Sequence, residues 1–360
     1  MEAFSCKTKI ISGEGAVSSL KNLNSQRLFL VSDPYFVKNG MAAQVGKHAG
    51  TAEIRVFHEL TPDPTVTQVA AGIGQMKDFR PDTLVALGGG SAIDCAKAIC
   101  FFSGIPVTFV AIPTTSGSGS EMTDFAILTH NGGKFPLIDP ALRPDIAILD
   151  SGFLKELPKS LIADSGFDVL AHALEAYVST GAGHFSDALA SEGFTKALEA
   201  LPLSYGGSLP HRLTMHTASA MAGMAFTGAG LGLCHAMSHA LGGIFKLPHG
   251  RLNAILLPAI ISVNAPMAAH RYAELARKAE LSSSADTIGV RSLKNRLITL
   301  RKELSLPATL AQAGISPREV WQCADQIVEQ TLNDPCCKTN PVTVEDYTVR
   351  RILEEVTGRV

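Results

Sequence analysis

The chain has 360 residues, 46% of them hydrophobic and 18% charged, with a mean hydropathy of +0.18, which is too long for one small core and too apolar for disorder. A formal net charge of -2 and a pI near 6.6, with basic and acidic residues interspersed, exclude the broad cationic field of a nucleic-acid or membrane-surface binder, so small molecules are the expected partners. Seven cysteines, an odd number with no CxxC pair, suggest neither a disulfide framework nor a zinc ribbon.

The opening MEAFSCKTKIISGEGAV carries an acid at position 2, lysines at 7 and 9 and no long apolar run, so it reads as neither signal peptide nor membrane anchor, and a cytoplasmic protein is expected. Short apolar runs then follow: RLFLVSD (27–33), EIRVFHEL (53–60), TLVALGGG (83–90), VTFVAIP (107–113) and DIAILD (145–150). Continuous rather than alternating hydrophobicity predicts buried parallel strands, and helical stretches such as TVTQVAAGIGQMKDF and SAIDCAKAICFF between them predict an open α/β sheet. Asp33, closing the first run, can accept hydrogen bonds from both ribose hydroxyls of NAD and repel a 2'-phosphate, or can simply form a turn before Pro34. In TLVALGGGSAIDCAK a strand meets a helix through a glycine turn, with Ser91 expected to cap and Asp94 to complete a capping box. Such a turn lets backbone N–H groups approach a pyrophosphate, although Ile93 breaks the G-x-G-x-x-G fingerprint. The hydroxyl-rich IPTTSGSGSEMTD (112–124) suits a nucleotide or an ordinary polar loop, and MTDFAILTHNGGKFPLID predicts a hairpin turning at His130–Gly133.

Near residue 150 the texture changes to alanine- and leucine-rich helical stretches (160–180, 186–201, 214–245, 254–279, 288–304, 316–331 and 343–356), which sets expected domains of 1–150 and 151–360 with the default site in a cleft between them. In FDVLAHALEAY, Asp168 and His172 stand four residues apart and share a helix face, and His235 and His239 repeat that spacing in GLCHAMSHALGG. Gly242, Gly243 and Pro248 then stop the helix, and LPHG brings His249 back. Any one of these imidazoles could be a satisfied core residue, but Asp168, His172, His235 and His249 all lie in apolar or glycine-rich surroundings where an unpaired polar group costs about 1–3 kcal/mol. His216 reads as structural, because it lacks an i+4 donor. One carboxylate and three imidazoles suit Fe(II) or Zn(II) better than Ca or Mg.

Taken together, GGGSAIDCAK, IPTTSGSGSE, FDVLAHALEA, HAMSHALGGIFKLPHGRLNAILLP and the closing TNPVTVED resemble the iron-containing, or group III, alcohol dehydrogenases over essentially the whole chain. Within that family the chain is most similar to the short 1-propanol dehydrogenases of propanediol-utilisation microcompartments, with the ethanol dehydrogenases of ethanolamine utilisation close behind. The resemblance implies a Rossmann-like α/β dinucleotide-binding domain with a parallel sheet, followed by an all-α metal-binding domain. It implies that Asp168, His172, His235 and His249 hold the metal and that His239 relays a proton near the substrate. It further implies that Gly89, Gly90, Ser91 and Asp94 line the pyrophosphate and nicotinamide side, that Thr114, Thr115, Ser118, Thr123 and Lys134 contact the dinucleotide, and that Asp33 favours NAD over NADP. The implied reaction is hydride transfer between NAD(H) and a short primary alcohol or aldehyde, by a homodimer or larger assembly that can associate with a microcompartment. The sequence departs from the family pattern at Ser118, Phe167, Val169 and Ala240, none of them an implied metal ligand. Competing readings are a diol or glycerol dehydrogenase, a lyase of the dehydroquinate synthase type, and a non-catalytic nucleotide-binding scaffold. The apolar motif region does not suit the phosphorylated, carboxylated substrate such a lyase takes.

Overall fold

The structure is a computed structural model that describes residues 4–130 and 133–358. The chain divides into two compact units, Ser5–Leu157 and Pro158 onward.

In the first unit, six strands form one all-parallel sheet. The chain supplies β1 (Lys9–Ser12), β2 (Arg27–Ser32), β3 (Glu53–Phe57), β4 (Thr83–Gly88) and β5 (Thr108–Pro113), then the antiparallel pair β6 (Phe125–His130) and β7 (Gly133–Ile138), and finally β8 (Ile146–Leu149). The sheet order is β1-β8-β5-β4-β2-β3. The expected turn between β6 and β7 falls on Asn131 and Gly132, outside the described residues. β1 was not anticipated: KIIS is four residues long and lies on the sheet edge with most of its side chains exposed, so it lacks the buried apolar run that reveals the other strands. EIRVFHEL is a strand only as far as Phe57.

Helices α1 (Pro34–Lys38), α2 (Met41–His48), α3 (Val66–Phe79) and α4 (Gly90–Ser103) cover the sheet on both faces. Successive residues of the central strands serve opposite layers, as the strand pleat requires. Phe29, Val31, Leu84, Ala86, Phe109 and Ala111 pack with Val69 and Met76 of α3 and Ala92, Ile93 and Ile99 of α4. Leu28, Leu30, Val85, Leu87, Val110 and Ile112 pack with Phe36 of α1 and Ala42 and Val45 of α2. Each fully buried Val, Leu, Ile, Phe or Met side chain among these contributes roughly 1.5–3 kcal/mol.

Among the described residues, the second unit contains helices and no strand. They are α5 (Lys159–Val178), α6 (His184–Tyr205), α7 (Leu209–Ala229), α8 (Leu233–Phe245), α9 (His249–Lys278), α10 (Asp286–Glu303), α11 (Pro317–Gln322), α12 (Ala324–Asn333) and α13 (Asp346–Thr357). The apolar stretch 214–245 is two helices, α7 and α8, bent by 104°. The break falls where Gly230, at φ 78, and Gly232 interrupt an otherwise uniformly apolar run. Cys323 likewise divides 316–331 into α11 and α12. Helix α9 has the length and apolarity of a membrane span, yet two-thirds of its most apolar window is buried within the fold, which makes it a core helix.

Candidate functional site

In the first unit, three neighbouring parallel strands deliver the sequence-selected groups to their carboxyl ends. Asp33 follows β2, the glycine turn follows β4 and the hydroxyl-rich loop follows β5. The chain leaves β2 for β3 on one side and β4 for β5 on the other, through helices on opposite faces, so the two connections diverge between β2 and β4. That divergence is the switch point at which open α/β sheets bind ligands. A Cβ on Gly88 would stand 2.5 Å from the Cβ of Ala92 and 3.4 Å from Asp33 Oδ2, so only glycine lets α4 close onto β4 beside that carboxylate. A Cβ on Gly89 would lie 3.2 Å from Thr115 Oγ1, and one on Gly90 3.0 Å from Ser118 Oγ, which places both hydroxyls against the turn.

Helix α4 begins at Gly90 with extended Gly89 as its N-cap, so Ser91 is not the cap and the expected capping box does not form. The helix starts two residues early, Ser91 Oγ accepts from the backbone N–H of Asp63 (3.3 Å), and Asp94 has other partners. Asp94 accepts from Ser120 Oγ (2.5 Å) and from the Ile127 N–H (3.0 Å). Lys97, which the sequence reading passed over, is fully buried and donates to the carbonyl and hydroxyl of Thr123 (2.9 and 2.8 Å) and to the Phe125 carbonyl (2.7 Å). Asp94 and Thr123 thus tie the loop after β5 to α4. The three-residue offset of Asp94 and Lys97 in SAIDCAK, which puts both on one helix face, was the available signal. The Lys134 side chain lies outside the described residues. Thr114 Oγ1 and Ser32 Oγ, both fully buried, make no hydrogen bond, and such orphaned hydroxyls together with the glycine cradle fit a polar ligand such as a dinucleotide.

In the second unit, α5 carries Asp168 and His172, α8 carries His235 and His239, and His249 opens α9. The ligand atoms of Asp168, His235 and His249 all lie within 4.8 Å of one another. Asp168 Oδ1 is 3.8 Å from His235 Nε2, 3.6 Å from His249 Nε2 and 3.9 Å from His172 Nδ1. The His172 ring stacks between Phe226 and His235, with centroids 4.5 and 4.4 Å away. His216 is fully buried in α7, outside this group. Lys246 in the left-handed region ends α8, and Pro248 precedes α9, which is how the chain returns His249 to the cluster. Gly250 makes the return close: a Cβ there would stand 1.8 Å from the Asp164 carbonyl oxygen, and Arg251 grips the Asp164 carboxylate at 3.1 and 2.9 Å.

Burial alone would raise the Asp168 carboxyl, but the neighbouring charges of His172, His249 and His235 hold it well below its usual range. Loss of solvent pushes His249 below its ordinary range, against the pull of Asp168. Burial opposes charge on His235 too, yet Asp168 and Glu175 carry it up to about 9. His235 Nε2 is buried, makes no hydrogen bond and faces a carboxylate, so a dication fits where two carboxylates already favour positive charge.

Glu175, also passed over in the sequence, orients His235. Its Oε2 accepts from the His235 Nδ1–H at 2.6 Å, while its two oxygens accept from the N–H groups of Gly232 (3.0 Å), Cys234 (2.6 Å) and His235 (3.3 Å). Asn340 accepts from the Leu233 N–H at 3.1 Å. The N-terminus of α8 has no capping side chain of its own and is satisfied by these two distant ones. Asn253 Nδ2 in turn donates to Asp168 at 2.8 Å and its oxygen accepts from Ser238, so carboxylate and imidazole are both held from behind. Glu175 lies three residues after His172 and seven after Asp168, and that helical spacing could have revealed it.

Residues 7–151 match the family described as iron-containing alcohol dehydrogenase, and residues 162–357 its C-terminal family. A 1-propanol dehydrogenase of Citrobacter freundii is 41% identical, covering 99% of this chain and all of its own, and an NADPH-dependent butanol dehydrogenase of Clostridium saccharobutylicum is 36% identical over 98% and 97%. Among solved structures, the iron-containing alcohol dehydrogenase of Thermococcus thioreducens superposes with a TM-score of 0.91 at 32% identity, covering 98% of this chain and 99% of its own. The chain belongs to the iron-containing alcohol dehydrogenase family, enzymes that interconvert alcohols and aldehydes.

Proposed function

We propose that this protein interconverts a short-chain primary alcohol and its aldehyde with NAD(H), running toward aldehyde reduction to regenerate NAD, with Fe(II) or Zn(II) held by Asp168, His172, His235 and His249. The observation that carries the reading is the convergence of the Asp168, His235 and His249 ligand atoms within 4.8 Å around a buried imidazole nitrogen that makes no hydrogen bond. A cation bound there supplies fixed positive charge to a substrate oxygen, and the dinucleotide supplies or accepts the hydride. Asp33 Oδ2 binds the ribose hydroxyls, and backbone N–H groups at Gly89, Gly90 and Ser91 meet the pyrophosphate at the start of α4. Thr114, Thr115, Ser118 and Lys134 offer further contacts, while Asp94 and Thr123 hold the loop that presents them. His239 exchanges the substrate proton. A cytoplasmic homodimer associated with a microcompartment belongs to the same reading, and sedimentation with isolated shells checks that part.

The test is His249→Ala, assayed for bound metal and for propionaldehyde-dependent NADH oxidation. Loss of bound metal and a fall in kcat/KM on the order of 10³-fold are expected, given that metal polarisation contributes several kcal/mol. A fully active, metal-free variant would overturn the ligand assignment. Stoichiometric net conversion of NADH also separates this reaction from a lyase that recycles its cofactor.

A further inference from the structure

His239 differs from the three imidazoles assigned to the metal. Its side chain is 42% exposed, its ring stacks on His249 at 5.1 Å, and its Nδ1 lies 2.8 Å from Asp334 Oδ2. Asp334 ends α12 and caps the short 3-10 helix Pro335–Thr339, its Oδ1 accepting from the Cys336 N–H at 2.8 Å. That helix is itself fixed: Thr339 Oγ1 donates to the Leu231 carbonyl at 2.7 Å, and the Thr339 carbonyl accepts from the Thr180 N–H at 2.9 Å. Each carboxylate oxygen therefore faces a different donor on a braced segment.

A carboxylate accepts only, so in the neutral imidazole the proton must sit on Nδ1 and the lone pair on Nε2. We propose that Asp334 is a positioning residue that fixes this tautomer and ring orientation of His239, presenting Nε2 as the atom that exchanges the substrate proton. The proposal rests on the reading of His239 as the proton-exchanging residue. In alcohol oxidation the O–H bond breaks, its electron pair stays on oxygen and the proton bonds to Nε2; in aldehyde reduction the same N–H bond returns it. His239, Asp334 and Cys336 also offer three metal-ligating atoms within 4.8 Å. Tautomer control is the better reading of that cluster, because both carboxylate oxygens are engaged and burial pushes the Cys336 thiol far above its ordinary range, away from thiolate.

Asp334→Asn is a shape-preserving probe. Its single carbonyl oxygen can keep the Cys336 N–H, which turns the amide N–H₂ toward His239 Nδ1 and forces the proton to Nε2. Alcohol oxidation and metal content would be measured for the wild type, Asp334→Asn, His239→Ala and the double variant. Each single variant is expected to keep its metal and its KM within a few-fold while kcat falls by about 10²-fold or more, and the double variant to be no slower than His239→Ala. Wild-type kcat in Asp334→Asn beside a slow His239→Ala overturns the positioning role, as do additive losses in the double variant. Wild-type kcat in His239→Ala instead overturns the reading of His239 itself. Should Asp334→Asn fail to fold, ¹⁵N-histidine NMR of the zinc-loaded wild-type enzyme decides alone: the proton on Nδ1 of His239 is expected, and a proton on Nε2 contradicts the proposal.

Discussion

Asp33 does two jobs with two oxygens. Its Oδ1 accepts from the Tyr35 and Phe36 N–H groups at 3.0 and 3.3 Å and caps α1, while Oδ2 faces the glycine turn. The turn-forming reading of its sequence context is thus met by Oδ1, which leaves Oδ2 for the ribose contact proposed above. Glycine is itself a tolerable cap, so Asp33→Gly removes the carboxylate at a cost of a few tenths of a kcal/mol. The ratio of kcat/KM for NADPH to that for NADH is expected to rise at least about tenfold, equivalent to 1.4 kcal/mol; an unchanged ratio means the carboxylate does not meet the ribose. Glu121, in the loop after β5, gives a pH signature of its own. Burial raises its carboxyl from 4.5 to about 7, against the pull of its own backbone N–H and of Lys97, and burial lowers Lys97 from 10.5 to about 8, against Asp94, Glu121 and Asp124. Between pH 4.5 and 7 the folded state keeps a proton at Glu121 that the unfolded state has released, so stability falls as pH rises through this window. Lys97 acts in the opposite sense from about pH 8 to 10.5, where the unfolded state holds the extra proton. Glu121→Gln removes the first slope. Its unfolding free energy relative to wild type should grow by about 3 kcal/mol from pH 4.5 to 7.5 in urea titrations, and a pH-independent difference would contradict the burial argument.

At the scale of elements, the metal group depends on how closely α9 starts against α5. Gly250 lets the backbones of the two helices touch at Asp164, one residue after His249 and one helical turn before Asp168. Gly250→Ala forces backbone against backbone and is expected to cost about 1–3 kcal/mol in denaturant unfolding and to lower bound metal per chain. Wild-type stability with full metal occupancy would show that the approach is not needed. The 3.6-residue period made α5 and its Asp168–His172 pair legible, and Pro248 foretold the break before His249, but Gly242 and Gly243, expected to stop the helix, lie inside α8, which ends only at left-handed Lys246. The bend between α7 and α8 was hidden because both sides are apolar, leaving the closely spaced Gly228, Gly230 and Gly232 to mark it. The supports were harder to see for a different reason: the helical period places Glu175 on the face of Asp168 and His172 but does not name its partner, because Glu175 meets His235 across 60 residues and Asp334 meets His239 across 95.

Over the whole molecule, the groups chosen for the dinucleotide all belong to Ser5–Leu157 and those chosen for the metal all belong to the unit that begins at Pro158. The parallel sheet was readable because each central strand is buried on both faces, which writes an unbroken apolar run into the sequence; β1, exposed on an edge, wrote none, and the order of the strands came from the structure. The motif residues were readable as candidates, but their roles came from resemblance, and the distances among them come from the fold. The proposed chemistry requires one carboxylate and three imidazoles to close around a single cation. An anomalous difference map from crystals of the iron-loaded enzyme, collected on either side of the iron absorption edge, tests it directly. One peak is expected at about 2.0–2.2 Å from an Asp168 oxygen and from a ring nitrogen of His172, His235 and His249. A peak that leaves out any of these four, or that lies at His239, Asp334 and Cys336 instead, would contradict it.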